Sequence, residues 1–253
     1  MEFDMTRKHY EKIDYKPLIF FAIFDVSDGE FKITKEKHHV YGIPEGIEIQ
    51  MFRRPDDDEY FKGFFGGSLG LVLYDSNKEL YDKASEANNC VVVRGNVEDD
   101  TSFEYLRDVI GIVEAFAENG AIAVLDLLNM TFISPTEWRN MYFEQEINPV
   151  KHVNIFVSDD EEGTYWYHTR GLIKFGRPEL SMHKIKREDI DKVKEIFDML
   201  IEYEGHGVFF KEEVKVVTPE NETYIIKTDF INDFENPDFN NAYYNLEIKE
   251  VIK

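Results

Sequence analysis

The segment from Cys90 to Ile133 constrains the fold of this chain more than any other. It opens with the apolar run CVVVRGNV and closes with AIAVLDLLNMTFI, and both runs have the composition of buried strands. Between them, apolar residues recur with a helical period at Phe103, Leu106, Val109, Ile110, Val113, Phe116 and Ala117. The segment therefore predicts a strand, an amphipathic helix and a second strand.

Two capping boxes predict where helices begin. Thr101 and Glu104 have the Thr-x-x-Glu spacing of a helix N-terminus. Ser134 and Glu137 repeat this spacing, with a proline at the first helical position. A third helix is predicted over 188–205, where apolar residues again recur on one face.

Strand signals surround these helices. The run 17–34 predicts a buried strand, a turn at 27–29 and a second strand. Apolar or alternating runs predict further strands over 46–52, 153–158, 164–169 and 179–185, and three more follow over 208–252. Because strands occur both alone beside helices and in hairpins, we expect an α+β fold, with three main helices packed on the faces of a mixed, largely antiparallel sheet or sheets. We expect a single domain over 1–253. The alternative is a subdivision near 147–152 into 1–150 and 151–253, and two halves that share one continuous sheet fit the pattern equally well.

The composition excludes several classes of protein. With 51 acidic residues against 29 basic ones the net charge is −22, so we expect neither a nucleic-acid partner nor a membrane partner. The longest clean apolar run, 18–24, is far shorter than a membrane span, and the first residues do not resemble a signal peptide. Cys90 is the single cysteine, so no disulfide forms within the chain, which suits a reducing compartment. We expect an acidic, cytoplasmic protein.

A basic stretch lies inside this acidic chain. Residues 165–187 carry one carboxylate, Glu179, against six cations: Arg170, Lys174, Arg177, Lys184, Lys186 and Arg187. Arginine offers a planar fork for phosphate or carboxylate, and glycine lets backbone N–H groups approach an anion. We therefore predict an anion-binding loop at 168–179. Its ligand-binding residues are His168, Arg170, Gly171, Gly176 and Arg177.

Two other interpretations of this stretch stay open. In the first, the cations pair with neighbouring acids, and the stretch is a salt-bridged turn that serves only the fold. In the second, the protein is a hydrolase or transferase for a small anionic substrate, with His168 as acid or base and Asp126 or Glu179 as its partner. Asp126 interrupts the apolar run AIAVLDLL, where a carboxylate must pair, accept hydrogen bonds or change its pKa. An aspartate that caps a turn at a strand end explains it equally well.

Two runs of sequence carry a resemblance. The motif HTRG (168–171), followed by FGRPEL (175–180), is similar to a motif of uncharacterised bacterial proteins. The run VVVRGNVEDDTSFEYLRDVIGIVEAF resembles their upstream region, so the resemblance covers residues 90–185. That family has no established chemistry, so it implies no catalytic residue. A looser likeness to domains that accompany bacterial toxin–immunity systems implies a binding role.

The remaining motifs predict no site. GFFGGSLG (63–70) lacks the lysine of a phosphate-binding loop, so a tight turn or bulge explains its glycines, and the acidic run 56–59 predicts an exposed loop. His38 and His39 are adjacent and would face opposite ways on a strand, and no other metal pattern occurs, so we expect no metal and no cofactor. The sequence favours a non-enzymatic binding or interaction module. Its partner would be a small anionic ligand or a basic protein.

Overall fold

The structure is a computed structural model that describes residues 3–161, 163–217, 221–236, 239, 241 and 244–252. The chain forms two compact units. The N-terminal unit comprises the residues up to Thr6, Leu18–Glu98 and Ser102–Ile147; the C-terminal unit comprises Arg7–Pro17, Asp99–Thr101 and the residues from Asn148 onward. Each unit has its own sheet, so the described strands do not form one continuous sheet shared by two halves.

The sheet of the N-terminal unit has five antiparallel strands. They are β1 (Leu18–Phe24), β2 (Ile47–Arg53), β3 (Asn89–Asn96), β4 (Ala123–Asp126) and β5 (Thr131–Ile133), in the order β2-β3-β1-β4-β5. The central strand β1 places Phe21 opposite both Val93 of β3 and Asp126 of β4. The first strand predicted within 17–34 is confirmed as β1, and those at 46–52 and 90–97 are confirmed as β2 and β3. The second strand predicted after the turn at 27–29 is wrong, because residues 29–34 form no strand and Thr34 caps the helix that follows.

Helices cover both faces of this sheet. They are α1 (Lys35–His38), α2 (Asp58–Phe65), α3 (Gly67–Ser76), α4 (Lys78–Ser85), α5 (Glu104–Ala117) and α6 (Pro135–Trp138), which continues as a π-helical turn over Arg139–Phe143. On one face, Phe61 and Leu73 of α2 and α3 join Phe24 in an apolar cluster. On the other, Phe21 meets Trp138 of α6 with ring centroids 5.3 Å apart, and α5 packs beside it.

The helices between Asp58 and Ser85 differ from the sequence prediction. The run expected to be a loop at 56–59 ends inside α2, so that expectation is wrong for its last two residues. The glycine-rich run 63–70 contains the break between α2 and α3 at Gly66, where a turn was predicted, but its flanks are helical. Burial of Phe61, Phe64 and Leu73 stabilises helices that the local composition does not favour.

One of the two predicted capping boxes forms. The Ser134 hydroxyl accepts the Glu137 N–H, and the Glu137 carboxylate accepts the Ser134 N–H at 2.8 Å. The box at Thr101 is wrong, because α5 begins at Glu104 and the Glu104 N–H donates to the Ser102 hydroxyl at 3.1 Å. The Glu104 side chain is therefore not used as a cap.

The sheet of the C-terminal unit has six strands and packs against one long helix. The strands are β6 (Asn154–Asp159), β7 (Tyr165–Arg170), β8 (Glu179–Ile185), β9 (Glu213–Val217), β10 (Thr223–Ile231) and β11 (Asn245–Ile252), in the order β6-β7-β8-β11-β10-β9. Only β8 and β11 are parallel among the described pairs. The predicted helix is confirmed as α7 (Ile190–Gly205), whose Phe197 lies 6.1 Å from Tyr167 of β7 between ring centroids.

The predicted α+β class is confirmed by these two mostly antiparallel sheets and their helices. In the described part of the chain, no helix combines the length and the apolar character that a membrane crossing requires.

Candidate functional site

The 168–179 motif lies in the interior of the C-terminal unit. Strand β7 ends at Arg170, a short 3₁₀ turn follows, and β8 begins at Glu179. Gly171 (φ 121°) and Gly176 (φ 67°) flank the turn in conformations that favour glycine. Every residue from 171 to 180 is buried. The glycines therefore serve a compact buried connection, and they are not part of an open loop.

Arg177 is fully buried, and backbone carbonyls surround it. Its Nε donates to the Val208 carbonyl at 2.9 Å, and one terminal nitrogen donates to Gly207 O at 2.6 Å and Glu11 O at 2.9 Å. The other terminal nitrogen contacts Asp99 Oδ2 at 3.2 Å and two nearby carbonyls. Asp99 also pairs with the buried Arg7. These contacts use each guanidinium nitrogen to join distant segments of the unit.

Glu179 is also fully buried and accepts several hydrogen bonds. Its donors are the Thr169 hydroxyl at 2.7 Å, the Gly171 N–H at 2.8 Å and the Ile173 N–H at 3.3 Å. Burial raises its pKa, and these hydrogen bonds oppose the rise. Burial also lowers the pKa of Arg170, which the charge of Glu179 partly offsets. Glu179 therefore fixes the turn that connects β7 and β8.

His168 lies in a row of stacked rings on β7. Its ring stacks on Trp166 with centroids 4.1 Å apart and on Phe156 at 5.7 Å. Thr169, which donates to Glu179, is the next residue along the strand, so its side chain and that of His168 leave opposite faces. The hydrogen bonds of the Glu179 carboxylate come from Thr169 and the backbone of the turn. The structure does not pair the Glu179 carboxylate with His168.

Asp126 belongs to the other unit. It ends β4, and its Oδ1 accepts the N–H groups of Leu128 at 3.1 Å and Asn129 at 3.4 Å. These hydrogen bonds agree with the alternative prediction for Asp126, that it caps a turn at a strand end. Because Asp126 and His168 lie in different sheets, they do not face each other across one sheet.

A second candidate site lies in the N-terminal unit, in a cleft of about 500 Å³. Small-ligand sites commonly have volumes of this order. The cleft is lined by Phe3, Met5, Lys35, His39, Tyr41, Glu104, Arg107 and Asp108. It therefore combines apolar walls with charged groups of both signs.

Arg107 is the most buried charged residue of this cleft, with 4% of its surface exposed. Its terminal nitrogens donate to the carbonyls of Phe143 at 2.9 Å and Gln145 at 3.3 Å, while its buried Nε has no hydrogen-bond partner among the described residues. The guanidinium carbon lies 5.1 Å from the ring centroids of both Phe3 and Phe143. Burial lowers the Arg107 pKa to about 10. The arginine is thus held in place with one donor unused.

A glycine in α5 allows the other wall of the cleft to approach this helix. A Cβ at Gly111 would lie 2.0 Å from the His38 carbonyl oxygen and 2.6 Å from the Val40 side chain. Only a residue without a side chain permits this contact. The contact brings the segment after α1 onto the same helix as Arg107. Within that segment, the Tyr41 N–H donates to Asp108 Oδ1 at 2.7 Å.

His39 ends α1 in a left-handed conformation (φ 58°). Its ring lies 5.5 Å from Phe143 and 6.0 Å from Phe3 between centroids. Burial and the positive charge of Arg107 lower the His39 pKa. This side of the cleft therefore presents a neutral ring next to a buried cation.

No protein-family model, curated protein or solved structure matches the chain. The resemblance of the HTRG and FGRPEL motifs to uncharacterised bacterial proteins therefore stays a prediction.

The sequence contains a signal for the cleft that motif searching missed. Arg107 follows Leu106 inside the apolar stripe of α5, Glu104 lies about one turn before it, and Asp108 is the next residue. A buried cation in an amphipathic helix requires a partner or a function. A charged residue within the apolar face of a helix can be recognised from the helical period of the sequence alone.

Proposed function

We propose that this protein is a non-enzymatic binding module for a small ligand with an anionic group, and that the cleft of the N-terminal unit binds this ligand. The observation that supports the proposal is Arg107, which lines the cleft, is held by two backbone carbonyls, and has a buried Nε without a hydrogen-bond partner among the described residues. A buried arginine whose orientation is fixed forms strong hydrogen bonds with carboxylate or phosphate oxygens.

Lys35 adds a second cation to the same cleft. Its Nζ lies 4.2 Å from the centroid of the exposed Tyr41 ring, and the described residues offer it no ion-pair partner. The exposed ammonium of Lys35 and the buried guanidinium of Arg107 thus line the same cleft. Electrostatic attraction to these two cations would offset the repulsion of an anion by the acidic chain.

The walls of the cleft suit a ligand that is partly apolar. Phe3, Met5 and Tyr41 supply apolar surface for the uncharged part of a ligand. The alternative of a hydrolase or transferase that uses His168 stays a prediction.

The proposal places the anion at Arg107 instead of Arg177. The donors of Arg177 are already bound to carbonyls and to Asp99, whereas Arg107 keeps one donor unused. An anion at Arg177 would have to break several buried hydrogen bonds, each with a desolvation cost. A role for Arg170 or His168 in binding, and a basic protein partner for the acidic surface, stay predictions.

Four anionic probes test this function: inorganic phosphate, acetate, benzoate and 3-phenylpropanoate. We expect at least 3-phenylpropanoate to shift the backbone amide resonances of His39, Tyr41 and Asp108 in a saturable NMR titration. Arg107→Met should abolish the shifts. The exposed Lys35→Met should weaken them without affecting the fold, and the exposed Lys32→Met serves as its matched control. If no probe shifts these resonances, or if the shifts survive in both cleft variants, the function is refuted.

A further inference from the structure

The cleft contains two carboxylates in addition to its cations. Glu104 and Asp108 are four residues apart on α5, so their side chains lie on one face of the helix. Neither forms an ion pair with a described residue, although Asp108 accepts the Tyr41 N–H. Burial and the negative charge of Glu104 both raise the pKa of Asp108. The Tyr41 N–H and the charge of Arg107 oppose this rise. The two carboxylates therefore lie near a cation with which neither forms a direct ion pair.

Outside the cleft, the N-terminal unit contains direct ion pairs between acidic and basic side chains. Lys62 contacts Glu59 at 2.6 Å on α2, and Arg139 pairs with the buried Glu114. In the cleft, by contrast, Lys35 and Arg107 form no ion pair with Glu104 or Asp108 among the described contacts. Charges of both signs therefore line one cleft, where Arg107 and Asp108 attract each other without forming a direct ion pair.

We infer that the ligand is a compact zwitterion, a small molecule that carries an ammonium group as well as its anionic group. This inference rests on the proposed function. The anionic group binds Arg107 and Lys35, and the ammonium group binds Glu104 and Asp108. The apolar remainder lies against Phe3, Met5 and Tyr41. Free amino acids with an aromatic side chain belong to this class.

The spacing of the charged residues along α5 limits the size of the charged part of the ligand. Arg107 follows Glu104 by three residues and precedes Asp108 by one. Side chains three or four residues apart on a helix have Cβ atoms about 5–6 Å from each other. One small group that bears both charges can therefore contact the arginine and a carboxylate together. A long ligand with its charges at opposite ends would not use this arrangement.

A divalent cation is the other occupant that a carboxylate pair suggests. The nearby positive charges of Arg107 and Lys35 oppose it. In the described part of the chain, no group of three or more histidine, cysteine, aspartate or glutamate side chains could hold a metal ion.

Three ligands with the same phenyl group test the inference by calorimetry. L-Phenylalanine carries both charges, 3-phenylpropanoate carries only the negative one, and 2-phenylethylamine carries only the positive one. We expect L-phenylalanine to bind at least about tenfold more tightly than either of the others. Glu104→Gln, at an exposed position, should remove this advantage without weakening the binding of 3-phenylpropanoate. Glu48→Gln, at an exposed position on β2, is the matched control.

The outcomes separate the two proposals. If 3-phenylpropanoate binds in an Arg107-dependent manner and as tightly as L-phenylalanine, the zwitterion inference is overturned while the proposed function stands. If neither ligand binds, the inference is overturned, and the proposed function is overturned as well when phosphate, acetate and benzoate also leave the amide resonances of the cleft unshifted. Saturable calcium or magnesium binding that Glu104→Gln abolishes, without an advantage for L-phenylalanine, would also overturn the inference.

Discussion

Arg177 and Asp99 form a buried ion pair, with a terminal guanidinium nitrogen 3.2 Å from Asp99 Oδ2 and at most 3% of either side chain exposed. Asp99 also pairs with Arg7, so one carboxylate joins two buried cations. The carbonyls of Glu11 and Gly207 complete the shell around Arg177. Two arginines from different parts of the sequence therefore stabilise the C-terminal unit through one aspartate.

Removal of Arg177 should strongly destabilise the protein. Arg177→Met leaves Asp99 with one cation fewer and leaves several buried carbonyls without a donor. Breaking a buried pair in this way costs about 3–5 kcal/mol, so we expect a loss of this order in the free energy of unfolding from urea denaturation. Arg187→Met, at an exposed position of the same basic stretch, should have little effect. Equal effects of the two changes would contradict the structural role of Arg177.

Replacement of Glu204 should stabilise the protein at neutral pH. Both carboxyl oxygens of this fully buried residue lack a hydrogen-bond partner among the described residues. Burial raises its pKa well above the ordinary value; the charge of Arg177 opposes the shift and the charge of Glu179 adds to it. The folded protein thus holds the proton more tightly than the unfolded chain, whose glutamates titrate near pH 4.3.

The direction in which stability changes with pH follows from the difference between the folded and unfolded pKa values of Glu204. The contribution of Glu204 to stability is complete below about pH 4.3 and declines as the pH rises towards its folded pKa. In Glu204→Gln we expect a flatter profile of unfolding free energy from pH 5 to pH 8 and a gain of at least about 1.4 kcal/mol at the upper end. The exposed Glu195→Gln is the control. If the unfolding free energy of Glu204→Gln changes with pH as steeply as that of the wild type, the raised pKa of Glu204 is contradicted.

Gly111→Ala should disrupt the cleft. The new Cβ would lie 2.0 Å from the His38 carbonyl, a distance that forces backbone to move. Overpacking of this kind costs about 1–3 kcal/mol. Gly63→Ala on α2 is the control, because its Cβ would meet nothing within 4 Å. We expect lower stability and weaker ligand binding for Gly111→Ala alone, measured by thermal unfolding and calorimetry.

The titration of His39 should report on Arg107. Part of the depression of the His39 pKa comes from the positive charge of Arg107. We expect Arg107→Met to raise the His39 pKa, measured from the ring resonances by NMR between pH 4 and pH 9. Arg94→Met on β3 should leave it unchanged. An unshifted His39 titration in Arg107→Met would show that the two side chains do not interact.

Much of the fold could be predicted from local periodicity. The strand at 90–97, the apolar stripe of α5 and the helix α7 follow directly from residue spacing. The helices α2 to α4 could not be predicted in this way. Their sequence is rich in glycine and aromatic residues, and burial of Phe61, Phe64 and Leu73 against the sheet stabilises them.

The site was harder to predict, because charge counts do not distinguish buried cations from available ones. Arg177 binds carbonyls of Glu11, Gly207 and Val208, which are remote in sequence and carry no side-chain signal. Arg107 offered the better signal, a cation within an apolar helical stripe. Its partners depend on the tertiary packing of Phe3 and Phe143, which residue spacing does not reveal.

A crystal soaked with 3-(4-bromophenyl)propanoate tests the proposed binding site most directly, since bromine can be located by its anomalous scattering. We predict a bromine peak in the cleft between Phe3 and Tyr41, with the carboxylate next to the guanidinium of Arg107. A peak at the 168–179 turn of the C-terminal unit, or an empty cleft at saturating ligand, would contradict the proposal.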